Sequence, residues 1–209
     1  MLIENRKPKT KTKDSGYFRL LNHEALAELM QKVQSCVIGN GNELEEKVYS
    51  HSIATRKFRK QKLLEFNLDT SYAFVIQMKV PTPKDPKKKN IAVDCMIIQG
   101  DEIYVIELKD GCNFDTKKSA GEVESLKKAC AIISSHDPRQ RRCIPKIVFW
   151  NAKDLNEVSF KSKDGQDMLM VGSDFSSKFG VNFDQINVER GVDAAKNLAY
   201  IKQQLKEIL

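Results

Sequence analysis

The sequence predicts an α/β fold, and three observations carry that prediction. Residues 91–109 read as two apolar strands, Ile91–Ile98 and Glu102–Lys109, that meet at Gly100-Asp101. Gly-Asp between two β-rich runs is a two-residue hairpin signal. The second strand is apolar on both faces, with Ile103 and Val105 on one and Tyr104, Ile106 and Leu108 on the other, so the sheet is expected to be covered on both sides. Runs of helical apolar spacing stand before and after the hairpin, giving the order helix, strand, strand, strand, helix, strand.

The 209 residues suffice for a substantial core. The expected organisation is a flexible basic arm over residues 1–15, with Arg6, Lys7, Lys9, Lys11 and Lys13, followed by a single domain over residues 16–209. From Asn22 to Val37 the apolar residues Leu26, Leu29, Met30, Val33, Cys36 and Val37 recur at helical spacing, and Gly39-Asn40-Gly41 is read as the stop. A second helix is expected from Asn42 to Ala54. On it Val48, Tyr49, Ser52 and Ile53 share a sector, and Glu45 falls in its middle. An acid on an inward stripe costs free energy unless it is paired or coordinated. Glu45 therefore either meets a nearby basic residue (Arg56, Lys57, Arg59 or Lys60) or belongs to a site.

Tyr72–Val80 reads as a strand stopped by Pro81, and residues 81–90 as an exposed Pro/Lys loop leading into the hairpin. After Lys109, Asp110-Gly111 breaks the strand. A helix from Asp115 to Ser134 follows, with Val123, Leu126, Cys130 and Ile133 on one face, and then a short buried strand over Ile147–Trp150. Lys163-Asp164-Gly165 reads as a turn, suited to a hairpin between Val158–Phe160 and Met168–Val171. Asp174–Phe179 reads as a short helix closed by Gly180, and Val192–Leu209 as a final amphipathic helix.

Charged residues make up 30% of the chain and the formal net charge is +7, a balance that suits a polyanionic partner. The five cysteines form no C-x-x-C pair, which argues against a disulfide framework or a thiolate zinc site. His23, His51 and His136 are too scattered for a metal site. No apolar run approaches the ~18 residues of a membrane span and no signal-peptide apolar region is present, so a soluble, cytoplasmic protein is expected.

The hairpin holds the chemistry. A turn centred on Gly100-Asp101 places Asp94 opposite Glu107, where facing Cβ atoms are about 4.5–5.5 Å apart and like charges destabilise the pair. A divalent cation is the simplest offset. Lys109 lies two residues beyond Glu107 and so on the same face. The plainer alternative is a solvated strand end in which Lys109 neutralises Glu107.

An Asp on the second strand, Glu-x-Lys on the third and an inward Glu on the first helix make residues 41–151 resemble the PD-(D/E)xK nuclease superfamily. Type II restriction endonucleases are the nearest match within it. Gly41-Asn42-Glu43-Leu44-Glu45 is similar to the family's helix-borne Glu segment. Glu107-Leu108-Lys109-Asp110-Gly111-Cys112-Asn113-Phe114-Asp115-Thr116-Lys117-Lys118-Ser119 resembles the stretch running from catalytic strand to DNA-facing helix. Val93 stands where many members have proline. The resemblance implies a restriction-endonuclease-like αβββαβ core with a mixed central sheet flanked by helices. It also implies a Mg²⁺-dependent endonuclease acting on double-stranded DNA at a specific sequence, as a homodimer, with a cognate methyltransferase in the host.

In that reading Glu45, Asp94, Glu107 and Lys109 are the catalytic residues. Asp94, Glu107 and the Leu108 carbonyl are the metal ligands, since Mg²⁺ takes oxygen ligands and keeps several waters. Lys87, Lys88, Lys89, Lys117, Lys118, Arg139, Arg141 and Arg142 are expected at phosphates, with Asn113 and Gln140 as candidates for base readout. Two rivals accompany it: a repair or junction-resolving nuclease on the same fold, and a nucleic-acid-binding module without catalysis.

Overall fold

A computed structural model describes residues 1–8, 11–82, 90–112, 116–160 and 162–209; for 116–119 and 163 it describes the backbone. The chain divides into two compact units, one formed by Met1–Glu43 with Asp184–Leu209 and one by Leu44–Phe183. No described helix is long and apolar enough to cross a membrane.

The first unit is helical. It holds α1 (Gly16–Leu21), most of α2 (Glu24–Ser50) and most of the last helix (Phe183–Ile208). Ser15 caps α1 by accepting from the Phe18 N–H, a preferred N-cap arrangement. The start of the chain is packed here: Ile3 is buried, its N–H donates to Asn197 Oδ1 at 2.8 Å, and the terminal amine pairs with Glu43 and Asp193. The stop expected at Gly39-Asn40-Gly41 does not occur, and one continuous α2 replaces the two expected helices. Glycine in a helix costs about 1 kcal/mol relative to alanine, but at Gly39 it makes room. A Cβ there would stand 2.6 Å from Arg6 Nη2 and 3.0 Å from Met1 Cε.

The second unit is built on a mixed sheet with six described strands in the order β1-β2-β3-β4-β5-β6. They are β1 (Lys57–Arg59), β2 (Tyr72–Val80), β3 (Ile91–Gln99), β4 (Glu102–Lys109), β5 (Arg142–Phe149) and β6 (Leu169–Val171). β2, β3 and β4 form an antiparallel meander, while β1 runs parallel to β2, and β5 and β6 run parallel to β4. The hairpin register is the expected one, with Cys95 opposite Ile106 and Gln99 opposite Glu102. Gly100 takes the left-handed conformation the tight turn needs (φ 58°).

α3 (Thr116–His136) covers one face. Its Val123, Leu126, Cys130 and Ile133 join a core with Val75, Met96, Ile103, Val105, Ile147 and Phe149. Burying each such side chain stabilises the fold by roughly 1.5–3 kcal/mol. On the other face Phe179 of α4 (Gly172–Phe179) meets the Tyr104 ring edge-on at 4.8 Å, and Gly180 closes α4 in the left-handed region, as expected.

Two expected boundaries move. β5 begins five residues before Ile147; Pro145 and polar neighbours mask its first half, which no strand flanks on the β6 side among the described residues, since β6 pairs with Ile147–Phe149. The hairpin expected around Lys163-Asp164-Gly165 is absent: Lys163–Met168 is a 3₁₀ helix and β6 joins β5 in parallel. A Cβ at Gly165 would lie 2.7 Å from Val123 Cγ2, so this segment packs on α3 instead of turning back. The last helix, α5 (Phe183–Ile208), starts nine residues earlier than the apolar spacing indicated.

Candidate active site

Asp94 and Glu107 lie one position beyond the last ladder pair of β3 and β4, Cys95–Ile106. Asp94 Oδ2 accepts from the Leu108 N–H at 2.8 Å, and Asp94 faces Glu107 across the two strands. Lys109 Nζ donates to Glu107 Oε1 at 2.6 Å and stands 2.7 Å from Glu122 Oε2 on α3. The acids and the lysine expected to converge are therefore together, with one further carboxylate.

Glu45 is buried on the last turns of α2. None of Arg56, Lys57, Arg59 or Lys60 pairs with it; its partner is Gln77, whose Nε2 donates to Glu45 Oε2 at 2.9 Å. Lys57 instead donates to the Tyr49 and Ser52 carbonyls at the end of α2, and Arg59 pairs with Glu46 at 3.1 Å. Gln77 sits inside β2 with φ 58°, a conformation that costs an L-residue roughly 1–2 kcal/mol. The ladder shows why it is tolerated. Ile76 pairs with Cys95 and Met78 with Val93, so Gln77 stands level with Asp94 where the pairing is interrupted. Ala73 and Val75 before the break, and Met78 and Val80 after it, belong to the same core cluster. The register is the same on both sides of the break, and Met96 and Ile98 on the one side and Val93 on the other join that cluster too. β2 and β3 therefore switch alternation together at Gln77 and Asp94 with no residue inserted, and the irregular backbone is confined to this row.

Burial is the main reason the Asp94 and Glu107 carboxyls hold their protons more tightly than usual. Neighbouring acids add to it, Glu45 acting on Asp94 and Asp94 on Glu107. For Glu45 burial again raises the value, opposed by the Gln77 hydrogen bond. Burial alone would lower the Lys109 value, but Glu107 and Glu122 outweigh it and keep the ammonium charged. Lys109 thus stands between Glu107 and Glu122, while Asp94 and Glu45 are close enough to Glu107 to interact with it.

The donor set is oxygen. No group of three or more His, Cys, Asp or Glu placed to hold a metal occurs among the described residues. Oxygen donors would suit a hard cation such as Mg²⁺, which one or two carboxylates and waters satisfy. The Lys109 carbonyl accepts from the Trp150 N–H at 2.8 Å. Strand alternation then directs the Leu108 carbonyl to the Asp94 side, beyond the last β3–β4 ladder pair.

The expected binding residues are scattered. Lys87, Lys88, Lys89 and Asn113 lie outside the described residues, and of Lys117 and Lys118 only the backbone, at the start of α3, is described. Arg142 pairs with Glu102 at the turn end of β4, seven residues from Lys109, or about 23 Å along a strand. Arg139 pairs with Asp69 at 2.6 Å, and Gln140 lies in a left-handed turn (φ 52°). Arg141 is not a surface cation: its side chain is 1% exposed, against 0% for Asp137. The guanidinium holds Asp137 and the Leu68 and Thr70 carbonyls, which commits it to the fold. The cluster 139–142 thus stands at the far end of the sheet from the carboxylates.

Two residues of the site were not singled out in the sequence. Gln77 is the one polar interruption between Ala73 and Met78. Glu122 is one turn before Leu126 on the inward stripe of α3, the same signal that marked Glu45.

Fold and site together define the class: a restriction-endonuclease-like α/β protein whose carboxylates meet across adjacent strands of a mixed sheet. No protein-family model matches the chain. The type II restriction enzyme HhaII of Haemophilus parahaemolyticus is 31% identical to it over 208 residues, spanning 93% of this chain and 89% of HhaII. The chain belongs to the type II restriction enzyme family.

Proposed function

We propose that this protein is a Mg²⁺-dependent endonuclease that hydrolyses double-stranded DNA at a specific sequence, with a PD-(D/E)xK centre formed by Asp94, Glu107 and Lys109. The observation that carries the reading is that Asp94 and Glu107 face each other on neighbouring strands with Lys109 bonded to Glu107. The kinship with HhaII, a type II restriction enzyme, supports the substrate class.

Asp94, Glu107 and the Leu108 carbonyl would hold Mg²⁺, which when bound polarises the phosphoryl oxygen and lowers the pKa of bound water. Lys109 stays cationic between Glu107 and Glu122, so its role is to orient the attacking water and to stabilise charge developing at phosphorus, not to accept a proton. Glu45, held by Gln77, faces the same carboxylates and would bind a second ion or its water. A palindromic site calls for a two-fold homodimer, and a host carrying this activity needs a methyltransferase that shields its own DNA.

The test is a digest of a plasmid of known sequence. Discrete fragments with Mg²⁺ and none with EDTA are expected, while Asp94→Ala and Lys109→Ala bind DNA without cutting it. Cutting in EDTA, or wild-type rates from either variant, would overturn the assignment. Sequencing the ends identifies the site, and sedimentation at working concentration tests the dimer.

A further inference from the structure

Resting on the nuclease reading above, we propose that the outer edge of the sheet beside β2, centred on Lys60 with Lys62 and Lys79, binds the phosphate backbone of the nucleic-acid substrate and leads it to the carboxylates. The register carries the argument. β1 pairs Arg59 with Ile76, and beyond a break Lys62 pairs with Lys79 at the same offset. Between them Lys60 stands level with Gln77, which stands level with Asp94, which faces Glu107. One row across four strands thus reads cation, amide, acid, acid. At about 4.8 Å per strand the Lys60 backbone is about 10 Å from that of Asp94, roughly three nucleotide steps at 3.4 Å rise.

Three features set this edge apart from casual surface charge. Lys60, exposed and in left-handed backbone (φ 52°), has an ammonium that meets no partner among the described residues, and the same holds for Lys79. Lys62 and Lys79 stand side by side across the bridge; Lys62 pairs with Glu65 at 2.6 Å, which leaves Lys79 as the uncompensated charge of the two. Beside them the Arg59 guanidinium lies 4.1 Å over the Tyr49 ring, which holds a planar cation at the surface. Lysines also keep an edge strand from pairing with other chains. That accounts for charge on β1, but not for Lys79 on the interior neighbour β2, nor for Lys60 on the row of the carboxylates.

The test compares wild type, a Lys60→Gln/Lys62→Gln/Lys79→Gln variant and a control, Lys196→Gln/Lys202→Gln/Lys206→Gln, that loses the same charge on α5. Binding to a fluorescent 30-base-pair duplex is followed by anisotropy in EDTA between 50 and 200 mM salt. Each lysine that neutralises a phosphate contributes about 0.9 to the slope of log K against log salt, and its removal should reduce the slope by that amount. The edge variant should therefore show a slope smaller by roughly 2–3 and weaker binding, with the control near wild type. If the triple variant fails to melt cooperatively, Lys60→Gln alone should reduce the slope by about 1. An unchanged slope and affinity in the edge variant, or an equal loss in the control, would overturn the proposal. With a wild type that cuts DNA, that result removes the edge and leaves the nuclease standing; a wild type that neither binds nor cuts removes both.

Discussion

Gln77 gives the sharpest check on the site's construction, because two substitutions there separate its backbone from its side chain. Gln77→Ala and Gln77→Gly both delete the hydrogen bond to Glu45, so that loss cancels between them. What differs is the φ of 58°. In an ordinary strand position glycine is less stable than alanine by roughly 0.5–1 kcal/mol, whereas a left-handed L-residue costs roughly 1–2 kcal/mol that glycine does not. The order should therefore reverse, with Gln77→Gly the more stable by about 1 kcal/mol. For a chain of this size that is about 2–4 °C in Tm. Urea unfolding in EDTA, fitted for both variants with a shared slope, reads the difference directly. Alanine equal to or more stable than glycine would refute the idea that the left-handed backbone at Gln77 stores strain. Both variants should also cleave roughly 10–100-fold more slowly, the usual cost of removing a group that orients a ligand-bearing side chain. Wild-type cleavage by either would remove Gln77 from the site.

Other expectations follow from the same geometry. Because burial, together with Glu45 acting on Asp94 and Asp94 on Glu107, raises the folded-state values of Asp94 and Glu107, the metal-free fold binds their protons more tightly than the unfolded chain does. Its stability is then full below the unfolded carboxylate values and falls as pH rises through the raised folded ones. Asp94→Asn should consequently melt higher than wild type in EDTA at pH 8 while failing to cut, and a lower Tm would contradict the reading. Arg141→Ala should cost about 3–5 kcal/mol, since it leaves buried Asp137 without its counter-charge; a loss under about 1 kcal/mol on urea unfolding would place that pair at the surface, where ion pairs are worth that little. Glu122→Gln removes one of the two acids beside Lys109 and should lower single-turnover cleavage about tenfold with DNA affinity unchanged. Equal loss in affinity and rate would show that Glu122 acts on folding or binding instead.

The strands and the acid pair were legible because their determinants are local. A two-residue turn fixes which residues face each other, and strand alternation places Lys109 beside Glu107; neither depends on distant parts of the chain. Glu45 was marked by the same means, as an acid on an apolar stripe. Its partner was not legible, because pairing with Gln77 depends on where α2 ends over β2. The break expected at Gly39 failed for a related reason: the glycine answers to Arg6 and Met1 packed against it, and helix propensity of a single residue is easily overridden by such packing.

The sequence by itself determined the order of the central elements, the hairpin register and the meeting of Asp94, Glu107 and Lys109, through forces acting between near neighbours in the chain. Only the tertiary structure decided that β1 joins β2 in parallel and aligns Lys60 with the carboxylates, that Glu122 reaches Lys109 from α3, and that Arg141 is buried with Asp137. Parallel pairing and helix docking join segments with no turn between them, so their register is set by burial across the whole core and leaves no local mark to read.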